Sequence, residues 1–347
     1  MEIANEEGRS RQHARAGGVM SAADKTAAPT RPGAGKGAVD RRPAPVLRPD
    51  RGLSGYMRDP KSLNPALKQL GRLALVAARM PTSRARILPS FLIVGAQRCG
   101  TTSLSRQLDE HPAVFGSVLH EEVHFFDVSY RRGLSWYRCH FPLLATARRA
   151  TRGADVTPVS FESSPYYMFH PLAPERIARD LPRVRLLVLL RDPVERAYSG
   201  HAHEVAHGFE TESFEAALEL EPARLAGQAE RIAADPGYFS YSHQHHSYIA
   251  RGEYVDQLER LERHFGRDRL HVVDSGDFFT DPEAVYDEVL AFLGLPNRGY
   301  PVFMRRNARP RSPMPDSVRK TLEEHYRPYD ERLSAWLGHE PSWRRQS

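Results

Sequence analysis

Residues 91–104 read FLIVGAQRCGTTSL. An unbroken apolar run from Phe91 to Val94 meets Gly95, and a short loop then reaches Gly100, Thr101 and Thr102. A short continuous apolar run is the mark of a strand covered on both faces, as in parallel sheets. Thr101 and Thr102 open a helix that carries on through Leu104 and Leu108 to Asp109. Strand, tight turn and helix together commit the chain to an α/β class: a three-layer, P-loop-like fold with a central parallel sheet flanked by helices.

The loop nearly matches G-x-x-x-x-G-K-[ST], the phosphate-cradling loop of nucleotide-binding proteins. Thr101 stands where the lysine belongs, and Arg98 lies earlier in the loop. A turn of this kind wraps backbone N–H groups around an anion and adds the partial positive charge of the helix N-terminus. Thr101, Thr102 and Ser103 add hydroxyl donors. The missing lysine is the one that reaches the β- and γ-phosphates, so ATP or GTP chemistry is disfavoured. No Walker B acid follows a strand, and no Mg²⁺ or other metal is expected.

A second buried strand is read at 184–190 (VRLLVLL), running into Arg191, Asp192 and Pro193. Pro193 suits the first turn of a helix, which is expected to reach about Val205. Arg191 then sits at the carboxyl end of its strand, the edge where open α/β sheets bind ligands, and Ser199 lies about two turns into the helix. Together they offer a second anion site, unless Arg191 pairs with Asp192 or Glu195. A third strand is read at Leu270–Val273. Helices follow from Tyr254, Leu258, Leu261 and Phe265 on one face, and from Val285, Val289, Phe292 and Leu293 on another. Between the two loops lies Glu121-Glu122-Val123-His124-Phe125-Phe126-Asp127. A carboxylate there is suited to general-base work, and the aromatic pair to anchoring the segment.

Residues 1–52 are rich in Ala, Gly, Pro and Arg and are read as a disordered basic tail. Residues 53–87 are read as a linker with an amphipathic helix, and 88–347 as the catalytic domain. The helix, Ala66 to Met80, carries Lys68, Arg72 and Arg79. It is expected to pack on the domain, with contact to a membrane surface as the alternative. The N-terminus lacks the apolar core of a signal peptide, and no 18-residue apolar run exists. Only Cys99 and Cys139 are present, which fits a reducing, cytoplasmic setting. The net charge of +6 suits anionic ligands but is too small to single out nucleic acid, and no nucleic-acid partner is expected.

Two histidine motifs compete. HEVAH at 203–207 matches H-E-x-x-H, which would place His203 and His207 on a zinc ion with Glu204 as base. Glu210 stands where the longer zinc-protease signature needs glycine. HQHH at 243–246 is either a metal tract or a polar loop.

In this order, GAQRCGTTSL, EEVHFFD, FESSPYYMFHP (161–171) and LLVLLRDPVERAYSGHAHE resemble the sulfotransferases that use 3′-phosphoadenosine 5′-phosphosulfate (PAPS), most of all the heparan-sulfate type and its bacterial relatives. SYIARGEYVDQLERLERHFGRDRLHVVDSGDFF and DPEAVYDEVLAFLGLP fit as well, so the resemblance spans about residues 88–345. It implies sulfuryl transfer from PAPS to a hydroxyl or amine, on a carbohydrate or glycolipid. Gln97, Arg98, Cys99, Gly100, Thr101, Thr102 and Ser103 would form the 5′-phosphosulfate loop. Arg191 and Ser199 would hold the 3′-phosphate. Glu122 would be the base, with His124 orienting it or the acceptor. Arg305 and Arg309, in a basic run near the C-terminus, would close over the donor. Two departures stand out: the family usually has lysine at Arg98, and some members have one at Ser163. A non-catalytic nucleotide-binding regulator on the same fold is the remaining alternative.

Overall fold

The computed structural model describes residues 65–153, 156–303 and 313–345, with side chains from Leu70 onward. Its centre is one five-stranded parallel sheet of β1 (Phe91–Gly95), β2 (Val114–Phe115), β3 (Val159–Ser163), β4 (Arg185–Leu190) and β5 (Leu270–Asp274). The spatial order is β2-β3-β1-β4-β5. All of β1 is buried, as is β4 after its first residue, which is why both read as plain apolar runs. In the register, Leu92 faces Glu162 on one side and Leu186 on the other, while Leu187 faces His271.

Among its helices are, in chain order, α1 (Pro65–Arg79), α2 (Thr101–Glu110), α3 (Pro193–Ala206), α4 (Phe214–Leu225), α5 (Tyr241–His245), α6 (Tyr254–Phe265), α7 (Ser275–Thr280), α8 (Pro282–Leu293), α9 (Asp316–Leu337) and α10 (Ser342–Arg345). The expected faces of α6 and α8 are buried in the main core: Tyr254, Leu258, Leu261 and Phe265 in one, Val285, Val289 and Leu293 in the other. Asp192 caps α3 by accepting from the Val194 N–H at 2.9 Å, and Pro193 takes the first helical position.

After β1 the chain leaves to one side to build β2 and β3, then returns across to lay β4 on the other side of β1. The loops leaving β1 and β4 therefore diverge, and a crevice opens between them at the carboxyl ends of the strands. Gly95 lets β1 end close to its neighbour, since a Cβ there would lie 2.6 Å from the Met168 Cβ. Arg98 and Gly100 both have left-handed backbone conformations, with φ of 70° and 93°. Gly100 adopts its conformation without strain, and Arg98 does so against the usual preference of a side chain.

Helix α1 packs through Val76 against Leu119 and Cys139. Arg79 adds a 2.6 Å hydrogen bond to the Phe141 carbonyl. Its other face leaves Leu70 and Leu73 exposed. The segment that follows also packs on the domain: Arg86 and Ile87 are buried, and the Ile87 N–H donates to the Pro142 carbonyl. No helix among the described residues is long and apolar enough to cross a membrane.

Candidate active site

A cleft of about 1020 Å³ opens at the crevice. Gln97 through Ser103 line it, together with Arg191 and Ser199 from β4's end and α3, and Glu121, Glu122 and His124 from the segment before Phe125. Arg305 and Arg309 lie outside the described residues.

The stretch from Gln97 to Ser103 is built as the loop motif requires. Gly100 is the N-cap of α2, and Thr101 and Ser103 are buried in its first turn. Each residue type has a physical reason there: glycine for the turn, small hydroxyl residues for donors beside the helix-end amides. Cys99 is fully enclosed, with its sulfur 3.7 Å from the Tyr254 hydroxyl. Burial pushes its thiol above the ordinary range, so it packs the loop as a neutral thiol.

Arg98 and Arg191 are two of the four arginines that line the cleft, with Arg106 and Arg251. The Arg98 Nε–H donates to the Ser199 Oγ at 3.1 Å, which joins two residues expected on different phosphates. Arg191 reaches Glu195 at 3.4 Å, the pairing that the sequence left open, yet it also lines the cleft. Glu195 accepts a closer bond, 2.6 Å, from Arg319. One partly exposed carboxylate shared by two guanidiniums at those distances is a weak tether, of order 0–1 kcal/mol, so Arg191 keeps most of its reach for an anion.

Glu122 is about half exposed and accepts from His124 Nε2 at 3.0 Å. The other ring nitrogen of His124 lies 2.6 Å from the buried Asp127 carboxylate. Burial works against a charged imidazole there, but Asp127 and Glu122 outweigh it and hold its pKa well above the usual value. His124 therefore orients Glu122. Glu121 is engaged elsewhere, accepting from Arg106 at 3.2 Å.

The segment carrying Glu122 is fixed from below by a residue the sequence reading missed. Glu162 on β3 is completely buried and accepts from Tyr167 at 2.7 Å, Ser164 at 2.7 Å, Tyr137 at 3.0 Å and the Val123 N–H at 3.3 Å. Burial raises its pKa despite those donors. Phe125 and Phe126 are buried beside it and anchor the segment. Arg251, Tyr166, Phe279 and Trp343 also line the cleft and were not anticipated. Arg251, Tyr166 and Phe279 lie within stretches quoted for the resemblance, but nothing local marked their direction.

The histidine motifs have other employment. Glu204 is buried and bonded to Gln97 at 3.4 Å and His245 at 2.9 Å, and Arg251 donates to the same Gln97. His207 donates to the His203 carbonyl at 2.7 Å. His243 bonds the Tyr166 hydroxyl at 2.7 Å, and burial lowers its pKa to about 3. Glu204 thus braces the wall behind the loop and is not poised as a water-activating base. Among the described residues no group of three or more His, Cys, Asp or Glu is arranged to hold a metal ion.

The sulfotransferase domain, as a family, matches residues 88–314 of this chain. The chain belongs to the sulfotransferase family.

Among curated relatives, the bifunctional heparan sulfate N-deacetylase/N-sulfotransferase 3 of Homo sapiens is 30% identical over 294 residues, covering 75% of this chain and 31% of the relative. The heparan sulfate glucosamine 3-O-sulfotransferase 5 of Mus musculus is 29% identical over 213 residues, covering 61% of this chain and 55% of the relative. The sulfotransferase chain thus spans less than a third of the first and about half of the second. A solved sulfotransferase from Alicyclobacillus acidocaldarius is 30% identical, with a TM-score of 0.54 over 74% of this chain and 99% of that one. The central parallel sheet of this sulfotransferase and its flanking helices agree with the fold expected from the strand–turn–helix motif.

Proposed function

We propose that this sulfotransferase takes its sulfuryl group from PAPS and delivers it to a hydroxyl or amine of a carbohydrate or glycolipid. The observation that carries the reading is that the amide-rich loop 97–102, whose Arg98 bonds Ser199, and Arg191 line one cleft at the sheet crossover. A donor with phosphates on both its 5′ and 3′ positions fits two adjoining sites, and a γ-phosphate lysine is not needed for it. Relatives named for sulfation of heparan sulfate support a carbohydrate acceptor.

Bound there, PAPS supplies the sulfuryl group, which passes in line from its phosphate to the acceptor. The chain does the rest. Loop amides, Thr101 and Thr102 hold the 5′ end, and Arg98 stabilises the charge left on it. Arg191 and Ser199 hold the 3′-phosphate by charge-assisted bonds. Glu122 takes the acceptor proton, held in place by His124. Arg305 and Arg309 are proposed to close over the donor.

Calorimetric titration with 3′-phosphoadenosine 5′-phosphate, the desulfated product, tests the donor. Tight binding, with AMP far weaker, is the expected result. Equal affinity for the two would remove the 3′-phosphate site, and no binding of either would overturn the donor assignment.

A further inference from the structure

We propose that Glu162 is a positioning residue for the reaction: through a relay of hydroxyls it holds four consecutive backbone N–H groups and registers Glu122 and His124 to the strand that carries the donor loop. The proposal rests on the reading of Glu122 as the base. Glu162 is fully buried and stands outside the cleft lining. Its Oε2 accepts the Val123 N–H directly, at 3.3 Å. The same oxygen takes the Ser164 hydroxyl at 2.7 Å, and Ser164 Oγ in turn accepts the His124 N–H at 3.1 Å. Oε1 takes the Tyr167 hydroxyl at 2.7 Å, and that hydroxyl oxygen accepts the N–H of Phe125 at 2.8 Å and of Phe126 at 3.4 Å. The amides of 123 to 126 thus all end on one carboxylate. Both hydroxyls spend their single proton on Glu162, which leaves their lone pairs to face the amides.

His124 lies within this run in a left-handed conformation, with φ of 52°. A side chain seldom adopts that region unless its surroundings impose it. Here Ser164 binds the His124 N–H, and the Ser129 N–H donates to the His124 carbonyl at 3.0 Å. The imidazole then meets Glu122 on one side and Asp127 on the other.

The other end of the relay is the sheet. Glu162 pairs with Leu92 in the register of β3 on β1, and the Ser164 N–H donates to the Ile93 carbonyl at 3.1 Å. β1 ends at Gly95 and runs straight into the loop proposed to hold the donor. The base and that loop are therefore referenced to one buried strand, a more rigid support than a loop supplies. In-line transfer needs this, since a misplacement of about 1 Å can cost about 10²-fold in rate.

The test begins with the full chain, isotope-labelled and without ligand. Ser164→Ala and Tyr167→Phe each cut one branch and keep the Glu162 charge. Glu162→Gln keeps the size but turns an N–H₂ group toward groups that are themselves donors. Amide exchange is expected to quicken about tenfold or more at His124 in Ser164→Ala, at Phe125 and Phe126 in Tyr167→Phe, and across 123–126 in Glu162→Gln. The His124 ring signal, assigned by its loss in His124→Gln, is expected to titrate at lower pH in Ser164→Ala and Tyr167→Phe than in the native protein. Neither substitution removes a charge, so that drop reports displaced carboxylate partners. With labelled PAPS and de-N-sulfated heparin as the probe acceptor, each of the three variants should lower kcat about tenfold at unchanged KM and unchanged affinity for 3′-phosphoadenosine 5′-phosphate. In a Glu122→Gln background none should lower it further. Unchanged exchange at 123–126 in Glu162→Gln would overturn the proposal, as would native kcat in all three variants beside an inactive Glu122→Gln. If Glu162→Gln does not fold, the other two variants give the same readings. Turnover retained by Glu122→Gln is the separate failure that removes the base, and this role for Glu162 with it.

Discussion

At the scale of single residues, the groups that line the cleft make distinct predictions. Glu122→Gln removes the proton acceptor while keeping its shape, so turnover should fall by about 10²–10⁴-fold with nucleotide affinity retained. Retained turnover would remove Glu122 as the base. Arg191→Ala should weaken 3′-phosphoadenosine 5′-phosphate much more than adenosine 5′-phosphosulfate; parallel losses would mean that Arg191 does not read the 3′-phosphate. His124 sets a pH test. Its folded pKa is raised by Asp127 and Glu122 against the opposing effect of burial. The stability it adds is therefore fully present below its unfolded pKa of about 6.5 and lost as pH rises through the folded value. Denaturant titrations should show His124→Gln most destabilised relative to the native protein near about pH 6, with the gap closing in alkali. A gap independent of pH would mean that the imidazole is neutral. The reactive residues among these were legible because each belongs to a local pattern: a glycine loop, an arginine ending a strand, an acid pair before aromatics. Glu162, which holds the Glu122 segment through the Val123 N–H, was not, because a lone buried glutamate becomes meaningful only when Tyr137, Tyr167 and Ser164 converge on it.

At the scale of elements, burial decides what each segment does. Among its described side chains, helix α1 buries Val76, with Leu75 partly buried beside it, and leaves Leu70 and Leu73 exposed. Val76→Ala should cost about 1.5 kcal/mol, two methyl groups' worth of burial, whereas Leu73→Ser should stay within about 0.5 kcal/mol. The reverse order in thermal or urea melts would mean that the helix is anchored by its other face. Glu221 on α4 accepts from three consecutive N–H groups, Tyr248, Ile249 and Ala250, at 2.7–2.9 Å. Glu221→Ala leaves those donors without that carboxylate and should cost at least about 2 kcal/mol, read as a shift in the urea midpoint at unchanged slope. β1, β4 and β5 were legible as apolar runs, and their observed ends fall within one residue of the expected ones. β3 was not, since buried Ser160 and Glu162 interrupt its apolar pattern, and β2, with two residues, carries no periodicity at all. The short α10 was equally silent: Trp343 reaches the cleft because Ser342 bonds Asp274, 68 residues away.

At the scale of the whole molecule, alternating strands and helices disclosed a parallel sheet but not its order. The order matters most for β1, whose two neighbours, β3 and β4, come roughly 70 and 95 residues later in the chain. The cleft has no second wall until β4 docks, so with the proposed donor bound there, recovery of nucleotide binding during refolding should coincide with the last phase of strand pairing. Binding regained in an earlier phase would mean that loop 96–100 is competent without Arg191. On a ribosome adding about 5–20 residues per second, the apolar β1 is made some 5–20 s before the strand that covers its second edge. The crossover that creates the crevice thus also creates an interval in which an apolar segment of the nascent chain keeps at least one edge open to any passing strand, and chaperone capacity during synthesis becomes a determinant of how much active protein a cell obtains.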